Sequence, residues 1–203
     1  MRLVRSVRPY DVLAKWDTAS WDDRTREVIR RRLTEIPERR FFSERHWRTL
    51  EAVAGRLLPQ PDRVEPIPIV PWIDEKLHHN LRDGFRFDDM PPLPDAWRFG
   101  LDGIEQDSRR IFGNEFVSLT GEDQDAVLRA VQAGDVTGAA WQRVPAARFF
   151  SEILLKEIVG EYYAHPSAWN ETGFGGPASP RGYVRLGPDQ RDPWEAPADA
   201  GSS

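Results

Sequence analysis

The chain has 203 residues, enough for one domain with a substantial core, and its net charge of −5 goes with an acidic pI of about 5.5. An acidic balance argues against a general nucleic-acid binder, because such proteins usually present a basic face. The absence of cysteine excludes disulfides, thiolate catalysis and cysteine-ligated zinc, and no apolar run approaches the roughly 20 residues that cross a bilayer.

The first residues of the chain are basic, but no apolar stretch of a secretory signal follows them. We therefore expect a cytoplasmic protein, which would reach the periplasm only together with an exported partner. Residues 1–20 are predicted to form an N-terminal extension that precedes the helical part of the chain.

The first predicted helix, over residues 21–33, begins after Ser20 as N-cap and carries arginines in its last turns, where they suit the helix dipole. An arginine-rich run extends through this helix and beyond its end: Arg24, Arg26, Arg30, Arg31, Arg32, Arg39 and Arg40. Two interpretations stay open for this run, a solvated helix face and a contact with an acidic partner surface.

The second predicted helix has the clearest start, with Ser43 as N-cap between the two apolar residues of a hydrophobic staple, Phe42 and Trp47. Trp47 also continues a stripe of apolar residues at helical spacing, which predicts that its side chain is buried. Pro59 and the prolines that follow end the helix and predict an irregular connection up to Pro71.

Helical spacing also predicts a third helix after Pro71 and a fourth that begins near Pro94 and ends at Gly113. Gly100 and Gly103 lie inside the fourth helix, where each costs about 1 kcal/mol relative to alanine. Two glycines three residues apart also suit a close contact with another helix.

A fifth helix is predicted to start at a capping box made by Thr120 and Asp123 and to end at Gly134. The last long helix is expected over residues 145–163, with Pro166 beyond its end. The chain is thus predicted to be all-α, with a single domain of about five or six helices over residues 21–187 and long Pro/Gly-rich irregular connections. Residues 188–203 are predicted to form a flexible tail unless a partner binds Trp194.

Residues 162–183 combine glycines and prolines with an unusual number of aromatic side chains, and this composition predicts an irregular, non-helical segment. Aromatic side chains dominate binding hot spots, so the segment is a candidate for docking onto a partner. The alternative is that its rings only pack on the helices of the same chain. The candidate interface residues are Tyr163, His165, Trp169, Phe174, Arg181 and Tyr183.

The four histidines are the first candidates for metal or acid–base chemistry, whereas most of the acidic pairs look like helix caps or solvated loops. His78 and His79 follow Asp74 and Glu75 at four-residue spacing, but the two pairs face different sides of a helix and lack a third ligand. His165, just past a helix end, is predicted to make a structural hydrogen bond to the following segment. A further histidine, at position 46, is placed where it could cap the start of the second helix.

Nucleotide and haem motifs are missing from the sequence. The segment Gly173-Phe174-Gly175-Gly176-Pro177 lacks the lysine and the helix that would follow a phosphate-binding loop, and no dinucleotide fingerprint follows a strand. No Cys-x-x-Cys-His motif for covalent haem occurs. We therefore expect no catalytic, cofactor-binding or metal-binding residues on this chain.

Four blocks of the sequence, in order, resemble the gluconate 2-dehydrogenase subunit 3 family. They are residues 41–59 with the aromatic pair and capped helix, 97–116 with Leu119 and Gln124 behind them, 148–152, and 162–166 followed by Gly175 and Gly176. The chain departs from the family pattern at its start, which lacks the twin-arginine export signal of many members. It also departs at residues 169–177, where many members read Gly-Gly-Asn.

The resemblance implies a small accessory subunit without catalytic residues, which accompanies a large FAD-dependent oxidoreductase of the glucose-methanol-choline (GMC) type. That partner would carry the FAD and oxidise a sugar, sugar acid or glycoside, with a cytochrome c as a possible electron acceptor in the same system. Two alternatives stay open: a free-standing metal-dependent enzyme that uses His78, His79 or His165, and a transient chaperone that leaves the folded flavoprotein.

Overall fold

A computed structural model describes residues 11–18, 20–81 and 87–177 of the chain. These residues form helices and their connections, without a strand among them, so the predicted all-α class is confirmed. The chain divides into two compact units. Unit 1 comprises the N-terminal part up to Ile36 and the C-terminal part from Tyr162, and unit 2 comprises Pro37–Glu161.

In chain order, the described helices are α1 (Asp23–Thr34), α2 (Glu44–Leu57), α3 (Ile69–His78), α4 (Leu93–Phe112), α5 (Gly121–Ala133), α6 (Ala146–Arg148), a π-helical stretch (Phe149–Leu155), α7 (Lys156–Ala164) and α8 (Pro166–Thr172). Short 3₁₀ helices occupy Val12–Lys15, Phe116–Ser118 and Ala139–Gln142. The first of these lies inside the stretch predicted as an N-terminal extension, and it contributes the buried Val12 to unit 1.

Most helix ends lie where the sequence predicts them. The Ser43 hydroxyl accepts the His46 N–H at the start of α2, and Thr120 accepts the Asp123 N–H at the start of α5. Gly113 and Gly134 follow α4 and α5 in the left-handed conformation, with φ of 75° and 80°.

Two predicted helix starts are wrong. The N-cap of α1 is Asp22, whose carboxylate accepts the Thr25 N–H, and not Ser20. Helix α3 starts at Ile69 instead of after Pro71, because a proline is compatible with the first turn of a helix, where its missing N–H has no intrahelical partner.

The core of unit 2 forms where aromatic rings meet the glycines of α4. A methyl group at Gly100 would overlap the Phe149 ring, and one at Gly103 would overlap the Trp141 indole. Trp97 and Phe149 are fully buried and meet edge to face, with ring centroids 5.8 Å apart. The close approach that the glycine spacing suggested is therefore confirmed, with aromatic side chains as the approaching groups.

The helical stripes were not all assigned correctly. Trp47 is only half-buried and donates its indole N–H to Glu51 at 2.8 Å, so the prediction that it belongs to the core is wrong. A stripe read from spacing follows one face of a helix, but the ends of that face extend beyond the elements that cover it.

Candidate partner interface

The segment predicted to be irregular contains a helix. After α7 ends at Ala164, the chain turns and forms α8 over Pro166–Thr172. Pro166 is at the first helical position, the His165 ring accepts the Ser167 N–H at 3.3 Å, and Gly173 ends the helix with φ of 68°. The prediction of a wholly non-helical segment is thus corrected, because proline and glycine are here the start and stop of a short helix.

Helix α8 packs into the core of unit 1. Trp169 is only 7% exposed and joins the buried cluster of Val12, Trp21 and Ile29. Gly176 completes this packing with φ of +76°, and a methyl group there would lie 2.9 Å from Cζ2 of Trp21. The glycine is therefore required both by its backbone conformation and by the neighbouring ring.

Hydrogen bonds fix the path of this segment within unit 1. The Val12 N–H donates to the Asn170 side chain at 2.9 Å, and the buried Lys15 ammonium donates to the Gly175 carbonyl. The Trp169 indole N–H donates to the Tyr163 carbonyl at 2.9 Å. Residues 162–177 therefore have a defined conformation that the N-terminal part of the chain supports.

The six predicted interface residues have different surroundings. Tyr163 and Phe174 are 42% and 41% exposed, and both are available at the surface of unit 1. His165 and Trp169 are buried in unit 1, so for these two side chains packing within the chain is the observed arrangement. Arg181 and Tyr183 lie outside the described residues, as does Trp194.

An apolar groove of about 330 Å³ also lies on unit 1, and neither Tyr163 nor Phe174 lines it. Its walls come from one face of α1 and from the segment around α8, namely Arg24, Thr25, Val28, Ile29, Arg32, Ala164, Pro166, Trp169 and Pro177. Val28 is 60% exposed although it lies in the middle of a helix. Sequence spacing did not reveal this groove, because its two walls are more than 130 residues apart in the chain.

The arginine run on α1 is partly paired within the helix. Arg30 contacts Glu27, and this hydrogen bond raises the pKa of the Arg30 guanidinium, with the Glu27 charge adding to the effect. Arg26 donates to the carbonyls of Trp16 and Trp21 and so links α1 to the preceding turn. Arg24 and Arg32 are the two arginines that line the groove.

The histidines have structural surroundings. His165 caps α8 by accepting the Ser167 N–H, which confirms the predicted structural hydrogen bond to the following segment. The His46 ring does not cap α2 but lies 3.0 Å from an Asp102 carboxylate oxygen on α4. His79 pairs with Glu75 at 3.2 Å, whereas Asp74 accepts backbone N–H groups instead of meeting His78. Among the described residues no three His, Asp or Glu side chains are grouped as metal ligands.

Unit 2 carries a second apolar depression, of about 610 Å³, between α2 and the proline-rich connection that precedes α3. Val64 in that connection is 99% exposed. None of the predicted interface residues lies in it. Within the described parts of the chain, no helix has the length and apolar character needed to cross a bilayer.

Unit 1 thus carries both exposed aromatic side chains and an apolar groove. The chain matches the family of gluconate 2-dehydrogenase subunit 3 over residues 44–176, and it belongs to this family. The family name describes its members as subunits of a dehydrogenase complex. No curated protein and no solved structure matches the chain.

Proposed function

We propose that the chain is a non-catalytic accessory subunit that binds and stabilises a large FAD-dependent dehydrogenase of the GMC type. The partner carries the FAD and oxidises a sugar, sugar acid or glycoside, and a cytochrome c accepts its electrons. The proposed complex forms in the cytoplasm. The subunit would reach the periplasm only if it is exported together with its partner. Family membership is the observation that carries this proposal.

The exposed side chains of unit 1 support a binding role. Tyr163 and Phe174 flank the buried Trp169, and the Phe174 ring meets the Trp169 indole edge to face at 5.4 Å. Large aromatic side chains held on a fixed support lose little conformational entropy on binding, and they are frequent among binding hot spots. We place the partner contact on these two residues, with Arg181 and Tyr183 continuing it along the chain.

The test is a pull-down of the tagged chain from its native cell, followed by a visible spectrum of the retained protein. We expect a flavoprotein in stoichiometric amount. Replacing both Tyr163 and Phe174 with serine should reduce the retained flavoprotein at least tenfold, equivalent to about 1.4 kcal/mol, when the yield is compared at equal amounts of folded chain. Comparing folded chain corrects for the stability lost with the ring contacts of these residues to Trp169 and Tyr162. The control is Val64→Ser, which removes a more exposed apolar side chain on unit 2.

Three results would contradict the proposal. The absence of any flavoprotein from the pull-down would remove the assigned partner. A flavoprotein that is retained at full yield by the double variant would place the contact elsewhere on the chain. A flavoprotein that is found only during its synthesis, and not in the mature complex, would favour a transient chaperone.

A further inference from the structure

The groove on unit 1 presents apolar surface to solvent along one face of α1. Val28 contributes the most exposed part of this surface, and Pro166, Trp169 and Pro177 form the opposite wall. Its volume of about 330 Å³ is large enough for one aromatic side chain and its neighbours. Apolar surface of this kind, enclosed on two sides, is typical of a site that receives an apolar side chain.

The charge beside the groove is positive. Helix α1 and its two cap residues hold five arginines against four carboxylates, Asp22, Asp23, Glu27 and Glu35, which leaves an excess of one positive charge. Arg24 and Arg32 line the groove eight residues apart, which corresponds to about 12 Å along the helix axis. The site therefore favours a ligand that combines an aromatic or aliphatic side chain with carboxylates on both sides of it.

The C-terminal part of the chain contains a segment with this chemistry. Residues 192–199 read Asp-Pro-Trp-Glu-Ala-Pro-Ala-Asp and hold three carboxylates, no basic residue and one large aromatic side chain, Trp194. We propose that this segment occupies the groove of its own chain, with the Trp194 indole against Val28 and the flanking carboxylates, Asp192 and Glu195, near Arg24 and Arg32.

The connection between groove and segment has sufficient length. Pro177 lines the groove and is the last described residue, and Trp194 follows it by 17 positions. A chain of 17 residues spans up to about 55–60 Å, whereas α1 with its 12 residues is only about 18 Å long. A tether of this length gives effective concentrations on the millimolar scale, so a modest intrinsic affinity suffices for occupancy.

This contact does not depend on the proposed function. In the isolated chain it would cover the apolar groove, and it would compete with any other protein segment that uses the same surface. The C-terminal segment would then act as an intramolecular occupant that a tighter-binding partner has to displace.

The chain has no cysteine, so one introduced cysteine can carry a spin label without background. The probe is the full chain with Ala196→Cys and a nitroxide label, measured by electron paramagnetic resonance at low protein concentration. We expect a largely immobilised spectrum. Adding Val28→Asp or Trp194→Ala should reduce the immobilised fraction at least fivefold, and raising the salt concentration should also reduce it, because salt screens the arginine–carboxylate attraction.

The matched control is Val64→Asp, which changes an even more exposed valine on unit 2 and should leave the immobilised fraction unchanged. A second label is attached at Thr34→Cys, at the end of α1. The distance between the two labels should then show a single narrow distribution. Circular dichroism of each variant confirms that the helices are intact.

Four results would overturn the proposal. The first is a mobile label in the chain that carries Ala196→Cys alone, and the second is a label that stays immobilised to the same degree after Val28→Asp is added. An immobilised fraction that rises with protein concentration would assign the groove to the segment of a second copy. Immobilisation that appears only after the flavoprotein is added would assign the effect to the partner. The proposed accessory function, which the pull-down tests separately, would not be affected.

Discussion

Asp74 is a buried carboxylate that organises the entry into α2. Its two oxygens accept the backbone N–H groups of Arg40, Phe41 and Phe42 at distances of 2.7–3.1 Å, and the residue has no exposed surface. Three amide donors on one carboxylate compensate for much of the cost of burying its charge. The spacing of Asp74 and His78 suggested a pair of metal ligands, but the Asp74 carboxylate accepts backbone hydrogen bonds instead.

Replacing Asp74 with asparagine should destabilise the chain by about 1.5–3 kcal/mol. The amide keeps the size of the side chain, but it loses the charge and presents a donor to backbone donors. Denaturant titration of the variant measures this cost. The control is Asp62→Asn in the exposed proline-rich connection, which should stay within about 0.5 kcal/mol of the parent. Equal effects of the two substitutions would show that Asp74 does not hold this turn.

Two tryptophans of unit 2 form a contrasting pair. Trp97 is fully buried between Phe42 and Phe149, with ring centroids 5.8 Å from each, whereas Trp47 lies at the surface of α2. We expect Trp97→Ala to cost about 3–5 kcal/mol of unfolding free energy, as large truncations in cores do, and Trp47→Ala to cost about 1 kcal/mol or less. Urea unfolding of both variants tests this order, and a reversed order would contradict the assigned core.

At the scale of helices, α4 approaches its neighbours through glycine. Gly100→Ala should destabilise the chain by about 1–3 kcal/mol, because the added methyl group overlaps the Phe149 ring in a tightly packed core. Gly55→Ala in α2 is the control, since no atom lies within 4 Å of its added methyl group. That substitution should stabilise the helix by up to about 1 kcal/mol through helix propensity alone. Thermal unfolding should therefore show shifts of opposite sign, and parallel shifts would argue against the close approach.

The contact between α2 and α5 includes a bidentate ion pair. Arg56 donates twice to Asp125, at 2.8 Å each, and this hydrogen bonding lowers the pKa of the Asp125 carboxyl below its ordinary value. A lowered folded-state pKa means that the carboxylate contributes stability above its unfolded-state pKa and loses that contribution as the pH falls through the folded-state value.

Comparing the parent with Arg56→Gln across pH tests this linkage. The variant should be slightly less stable at neutral pH, and the difference should disappear as the pH falls below about 4 and Asp125 becomes protonated. Both side chains are partly exposed, so the difference at neutral pH should also shrink in high salt. A difference that grows as the pH falls would have the wrong sign for a paired carboxylate.

At the scale of the whole molecule, the accessory role predicts that the purified chain carries no flavin. We expect no absorbance near 450 nm after expression without a partner, because the sequence lacks a dinucleotide fingerprint. Addition of the chain to free FAD should leave the flavin fluorescence unchanged. A flavin that stays with the isolated chain through gel filtration would contradict the role proposed above.

Local interactions explain what the sequence by itself determined. Ser43, Thr120, Gly113 and Gly134 act within a few residues of their own helix ends, so the helices α2, α4 and α5 and the all-α class follow from neighbouring residues alone. The family was likewise readable from four ordered blocks, and it is confirmed by the match over residues 44–176.

Only the tertiary structure decided which faces are covered. Trp47 and Trp169 both lie in aromatic-rich stretches, yet Trp47 is only half-buried, whereas Trp169 is buried against Val12, some 157 positions away in the chain. The groove beside α1 likewise needs walls from both ends of the chain. Whether a side chain is buried depends on which distant segments of the chain meet. Each such long-range contact has to offset the entropy lost when the residues between its partners are ordered. The set of contacts that satisfies this condition is a property of the folded chain as a whole.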